Sequence, residues 1–122
     1  TRQGPGSAQV VRRARTLGAY AVRGNHDDSG LAAYEAWRRD GKEPKEKHAW
    51  VKQLSPDDAE WMHDLPFSLS VAPYRLTVVH AGVVPGVPLE DQSLADLCKM
   101  RDLVPVGPNG KRRWIASEKA VP

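Results

Sequence analysis

Cysteine, phenylalanine and long apolar runs are what this 122-residue chain most conspicuously lacks. With Cys98 as its sole cysteine it has no internal disulfide framework, which favours a reducing compartment, and a cytoplasmic location is the expectation. No apolar run reaches the roughly 18 residues of a membrane-spanning helix, so no membrane partner is expected. The opening Thr1-Arg2-Gln3-Gly4-Pro5 holds neither an initiator Met nor the apolar stretch of a signal peptide, and the chain reads as a piece of a longer one. A net charge of +3 is too small and too scattered to announce a nucleic-acid surface. The clusters Arg12-Arg13-Arg15 and Lys111-Arg112-Arg113 read as solvated faces. A mildly basic surface nevertheless suits a phosphate-bearing ligand.

What is present is ordinary globular material, 40% hydrophobic and 27% charged, enough for one small domain over residues 1–122. Ser7 is a candidate N-cap for a helix over Ala8–Leu17, with Val10, Val11, Ala14 and Leu17 at helical spacing and Gly18 as the residue that ends it. Tyr20-Ala21-Val22 reads as a buried strand. Leu31–Arg39 reads as a helix, and the Lys-rich stretch 40–53 as an exposed loop or short helix. Ser55-Pro56-Asp57-Asp58 is a helix start with every expected part: cap, Pro at the first helical position, acidic residues in the first turn. Trp61, Met62 and Leu65 give that helix its apolar stripe and Pro66 stops it. Phe67–Val71 and Arg75–His80, broken by Ala72-Pro73-Tyr74, predict a hairpin. Ser93–Arg101 predicts a further helix in which Cys98 is buried, and the tail from Pro105 reads as a loop anchored by Trp114-Ile115. An α/β fold follows from this alternation.

The chemistry concentrates at two places. Ala19-Tyr20-Ala21-Val22 feeds Gly24-Asn25-His26-Asp27, and Thr77-Val78-Val79 feeds His80-Ala81-Gly82. Gly24 permits a sharp exit and close backbone approach. Asn25 offers a neutral carbonyl oxygen suited to a divalent metal. The imidazole of His26, ordinarily titrating near neutrality, suits proton donation to a leaving-group oxygen. Asp27 or Asp28 is placed to orient that imidazole or to cap the following helix. His80, followed by small residues, reads as a metal ligand when paired with the first turn. Arg101 is either a helix-end charge or a planar clamp for phosphate. His48 and His63 read as surface or structural.

Gly24-Asn25-His26-Asp27 and Val79-His80-Ala81-Gly82 resemble two blocks of the calcineurin-like metallophosphoesterase superfamily. The finer series is similar to its diadenosine-tetraphosphatase-like (ApaH-like) branch: Leu54-Ser55, Trp61 and Leu65-Pro66, then His80-Ala81-Gly82 through Pro85-Gly86 to Gln92, then Met100-Arg101. The resemblance covers about residues 4–104. It implies part of a sandwich of two sheets flanked by helices, truncated at both ends. It implies two divalent metals of the Mn, Fe, Zn, Co or Mg class and attack on phosphorus by a metal-activated hydroxide. Asn25 and His80 would be metal ligands, His26 and Asp27 catalytic, and Arg101 a phosphate contact. The implied substrate is a phosphorylated small molecule or nucleotide, dinucleoside polyphosphates first, with nucleic acid entering only as a capped or nucleotide-like end. The family's Asp-x-His block and its late Gly-His block are absent. Gly4-Pro5 looks like the end of its Gly-Asp block, with Gln3 where a basic residue is usual. Metal binding by this chain is therefore expected to be weak. A serine/threonine protein phosphatase-like enzyme and a degenerate binding module on the same scaffold are the alternatives.

Overall fold

A computed structural model describes residues 6–108 and 113–120. Gln3, Gly4, Pro5, Lys111 and Arg112 lie outside the described residues. Helices and small antiparallel sheets alternate as an α/β chain, and the chain divides into two compact units: residues 1–21 with 25–65, and residues 22–24 with 66–122.

The first unit is helical. Helix α1 spans Ser7–Thr16, with Gly6 rather than Ser7 at its N-cap. It ends as Gly18 predicts: Gly18 turns left-handed (φ 64°), its N–H donates to Arg15 O, and the Ala19 N–H reaches back to Ala14 O at 3.0 Å. Those two bonds form a Schellman closure, which satisfies carbonyls the helix end would orphan. The inward stripe of α1 differs from the expected one. Val10 and Leu17 are 69% and 64% exposed, while Ala8 is buried and Val11 packs on the core. Arg12 and Arg15 complete the inward row at positions 8, 11, 12 and 15, because both donate to the carboxylate of Asp58. Two of the three arginines read as a solvated face are thus structural. The side chain of Asp58 is itself fully buried.

Asp58 sits in helix α3, Pro56–His63, which starts as its sequence predicts. The Asp58 N–H donates to Ser55 Oγ and the Ser55 N–H donates back to Asp58 Oδ2, a reciprocal capping box. Between them in sequence runs helix α2, Asn25–Asp40, which starts six residues earlier than the apolar periodicity predicts. A 3-10 segment over Glu46–Gln53 follows, the short-helix alternative for the Lys-rich stretch, and it buries His48 and Val51. Gly30 of α2 admits it. A Cβ there would stand 2.7 Å from the Trp50 ring, so only glycine lets the indole lie against the helix. Ala8, Leu31, Val51, Leu54, Ala59 and Met62 form the core of this unit, with Trp61 packed beside it.

The expected strand at Tyr20-Ala21-Val22 is not one: residues 19–24 belong to no sheet among the described residues, and Tyr20 is 92% exposed. An apolar run becomes a strand only beside a ladder partner, and none of the described strands pairs with it. The second unit contains the sheets. Strands β1 (Ser68–Val71) and β2 (Leu76–Val79) form the predicted antiparallel hairpin, Ser68 opposite Val79, around a 3-10 turn at Ala72–Tyr74. Arg75 closes that turn in the left-handed region at φ 49°. Helix α4 is shorter than predicted, Leu94–Lys99, and buries Leu97 and Cys98 as expected. The tail is a correction. Asp102–Val106 (β3) and Arg113–Ser117 (β4) pair antiparallel in a second hairpin, so Trp114 and Ile115 lie on a strand. β-Branched and aromatic residues there (Val104, Val106, Trp114 and Ile115) favour a ladder, and proline at Pro105 is tolerated in a two-stranded sheet where every strand is an edge.

Candidate functional site

Asn25, His26 and Asp27 form the first helical turn of α2, following the buried Gly24. This replaces the expected free turn between strand and helix. The consequence is electrostatic as well as geometric: the exposed His26 and the half-buried Asn25 stand at the positive end of the helix dipole, which Asp27 and Asp28 complement. The Ser29 hydroxyl donates to the carbonyl of His26 at 3.2 Å, which ties down the turn bearing the imidazole.

In the second unit His80 is the first residue after β2 and is exposed. The loop that follows it is fixed at two points. The Ala81 N–H donates to Leu97 O of α4 at 2.9 Å. Further on, Gln92, 8% exposed, spans the loop with three bonds: its Oε1 accepts from the Val84 N–H, and its Nε2 donates to the carbonyls of Val84 and Val87. Only a family resemblance marks Gln92 in the sequence, and its part in shaping this loop is invisible to spacing. Arg101 lies between α4 and β3, exposed, with its backbone N–H donating to Ser117 O at 2.7 Å. Ala81, Gly82, Val83, Met100 and Arg101 flank one open cavity of about 320 Å³, so this unit brings the loop after His80 beside Arg101. A Cβ on Gly82 would meet Met100 Cε at 2.6 Å, the far end of a side chain that can swing aside.

His48 and His63 separate. His63 is exposed beside Asp64, as expected for a surface residue. His48 is buried at 8% exposure, and its Nδ1 has no hydrogen-bond partner. Burial, then Lys47, His26 and Lys45, lower its pKa below the usual value. It lines a cavity of about 270 Å³ with Ala33 and Ala36 of α2 and Lys42, Lys45 and Lys47. Three lysines in the six residues before a lone histidine are the sequence trace of this cavity, and they carry no metal-ligand spacing.

Among the described residues no group of three or more His, Cys, Asp or Glu side chains is placed to hold a metal ion. Asn25 and His80 are neutral donors, whereas a pair of divalent cations needs anionic oxygens to offset its charge. The described residues therefore do not fit a complete two-metal centre.

No protein-family model and no curated protein matches the chain. A solved structure does, described as that of a putative diadenosine tetraphosphatase, with a TM-score of 0.77 and 27% sequence identity over 95% of this chain. The chain spans 46% of that protein, under half its length.

Proposed function

We propose that this chain is the portion of a metal-dependent phosphoesterase that carries the proton donor and a phosphate contact. Its substrates carry phosphoanhydride or phosphomonoester bonds, dinucleoside polyphosphates and other nucleotide pyrophosphates first and phosphoproteins second. The observation that carries the reading is the likeness, over nearly the whole chain, to a protein described as a putative diadenosine tetraphosphatase. The placement of Gly24-Asn25-His26-Asp27 at a helix start and of His80 at a strand end supports it. His26 protonates the leaving phosphate oxygen, a role that suits an imidazole open to solvent. Arg101 offsets phosphate charge with its planar fork. Asn25 and His80 are the neutral donors toward two divalent metals of the Mn, Fe, Zn, Co or Mg class. Such metals would supply the activated hydroxide, and the donors among the described residues do not suffice to hold two of them.

The absence of a three-donor cluster among the described residues favours one second reading, a binding module that keeps the scaffold and recognises nucleotide without turnover. A phosphoprotein substrate is the remaining alternative. One assay separates the three: hydrolysis of diadenosine tetraphosphate and of a phosphoserine peptide by the chain with Mn²⁺, alongside His26→Ala. Slow release of nucleotide is expected, in excess of peptide dephosphorylation, falling roughly 10²–10⁴-fold in His26→Ala, the usual worth of a general acid. Unchanged rates in His26→Ala would remove the proton-donor role. Preference for the peptide would favour a protein phosphatase, and nucleotide binding without any turnover the binding module.

A further inference from the structure

We infer that the cavity between α2 and the 42–48 segment is a nucleoside-phosphate subsite, with the nucleoside on Ala33 and Ala36 and its phosphate on Lys42, Lys45 and Lys47. The inference rests on the reading of His26 as the leaving-group acid and adds where the remote end of the substrate lies.

Charge sets the ligand class. Lys42, Lys45 and Lys47 line the cavity without an acidic partner, while Glu43, the one carboxylate on its wall, is neutralised by Lys52 at 2.6 Å. Three uncompensated cations around about 270 Å³ favour an anion with several oxygens. The floor sets the rest. Ala33 and Ala36 give α2 a small, flat, apolar face against which a ring can lie, and the volume suits one nucleoside phosphate rather than a peptide. His48 supplies direction. Its Nδ1 is buried and unpartnered, a cost that rotation of the ring into the cavity and a hydrogen bond to a ring nitrogen or ribose hydroxyl would remove. Burial and the neighbouring lysines keep it neutral near pH 7, leaving one ring nitrogen to donate and the other to accept.

Helix geometry then relates the cavity to the chemistry. His26 and Ala33 are seven residues apart on α2, hence on one face. At 1.5 Å per residue, Ala33 and Ala36 lie roughly 10–15 Å along the axis from His26. A nucleoside in the cavity would send a chain of several phosphates along that face toward the imidazole. A chain of several phosphates spans more of that distance than a single phosphate ester, so the cavity favours polyphosphates.

The test is titration of the whole chain with ADP, followed by NMR of ¹³C-methyl alanine and histidine side chains. The expected result is saturable shifts at Ala33, Ala36 and His48. The Lys45→Ala/Lys47→Ala double variant should weaken binding at least tenfold, on the scale of losing hydrogen bonds to charged groups, with its circular dichroism unchanged. Inorganic triphosphate should bind more weakly than ADP. His26→Ala should leave ADP binding intact, which makes the two readings fail separately. Shifts confined to residues 24–28, or equal affinity of the lysine variant, would overturn the subsite and spare the role of His26. Triphosphate binding as tightly as ADP would overturn the nucleoside assignment. ADP binding in the cavity, with hydrolysis indifferent to His26, would uphold the subsite and overturn the acid.

Discussion

Asp58 shows how one buried carboxylate is kept charged. Burial alone would raise its pKa, but hydrogen bonds from Arg15, from the backbone and hydroxyl of Ser55, and from Arg12 outweigh it and hold the group at about 2, against 3.8 unperturbed. The sign follows directly. A carboxyl whose pKa is depressed on folding contributes stability that is complete above pH 3.8 and is lost as pH falls through about 2. Because Arg12 is 50% exposed and Arg15 30%, solvent screens both partners, and the contribution is about 1–2 kcal/mol. Asp58→Asn keeps the cap but loses the charge pairing. Urea unfolding should give it a stability deficit of that size at pH 7, one that narrows as the wild type is taken toward pH 2. A deficit independent of pH would show that packing rather than charge holds α1 to α3.

At the scale of elements, the loop from His80 to Gln92 is the sharpest case of structure set by one side chain. Gln92→Leu removes three hydrogen bonds and takes their side-chain partner from the Val84 N–H and the Val87 carbonyl, while the Val84 carbonyl keeps the Val87 N–H; the loss is about 1 kcal/mol for such part-buried groups. Faster amide exchange at Val84 and Val87, with exchange in α3 unaffected, is the expected signature; uniform protection would mean that the loop is held by something else. Helix ends and the first hairpin were legible in the sequence because their signals are local: Ser55-Pro56 starts a helix and Gly18 ends one through their own backbone chemistry. What escaped depends on partners distant in sequence. Tyr20-Ala21-Val22 has strand composition and no ladder, while Arg113–Ser117 hid in a Gly- and Pro-rich tail and found its partner in Asp102–Val106. The stripe of α1 was misjudged for the same reason, since a charged residue 46 positions away decides which face turns inward. Around the candidate residues, the end of a strand just before His80 was legible in the sequence, whereas the start of α2 at Asn25, the cavity at His48 and the clamp of Gln92 were not.

For the whole molecule, the charge balance and the donor set point the same way. A net charge of +3 with three unpaired lysines around one cavity favours polyanionic ligands, while the metal-ligating groups are sparse among the described residues. Metal analysis of the purified chain after dialysis against EDTA and return to Mn²⁺ should find sub-stoichiometric, readily exchanged metal. Two tightly retained ions per chain would contradict that expectation. Ligand class is the central claim, and a side-by-side NMR titration of the histidine and arginine side chains with diadenosine tetraphosphate and with a phosphoserine peptide tests it most directly. The account predicts that the dinucleotide moves His26 and Arg101 at concentrations where the peptide moves neither; shifts produced equally by the peptide, or by neither ligand, would contradict it.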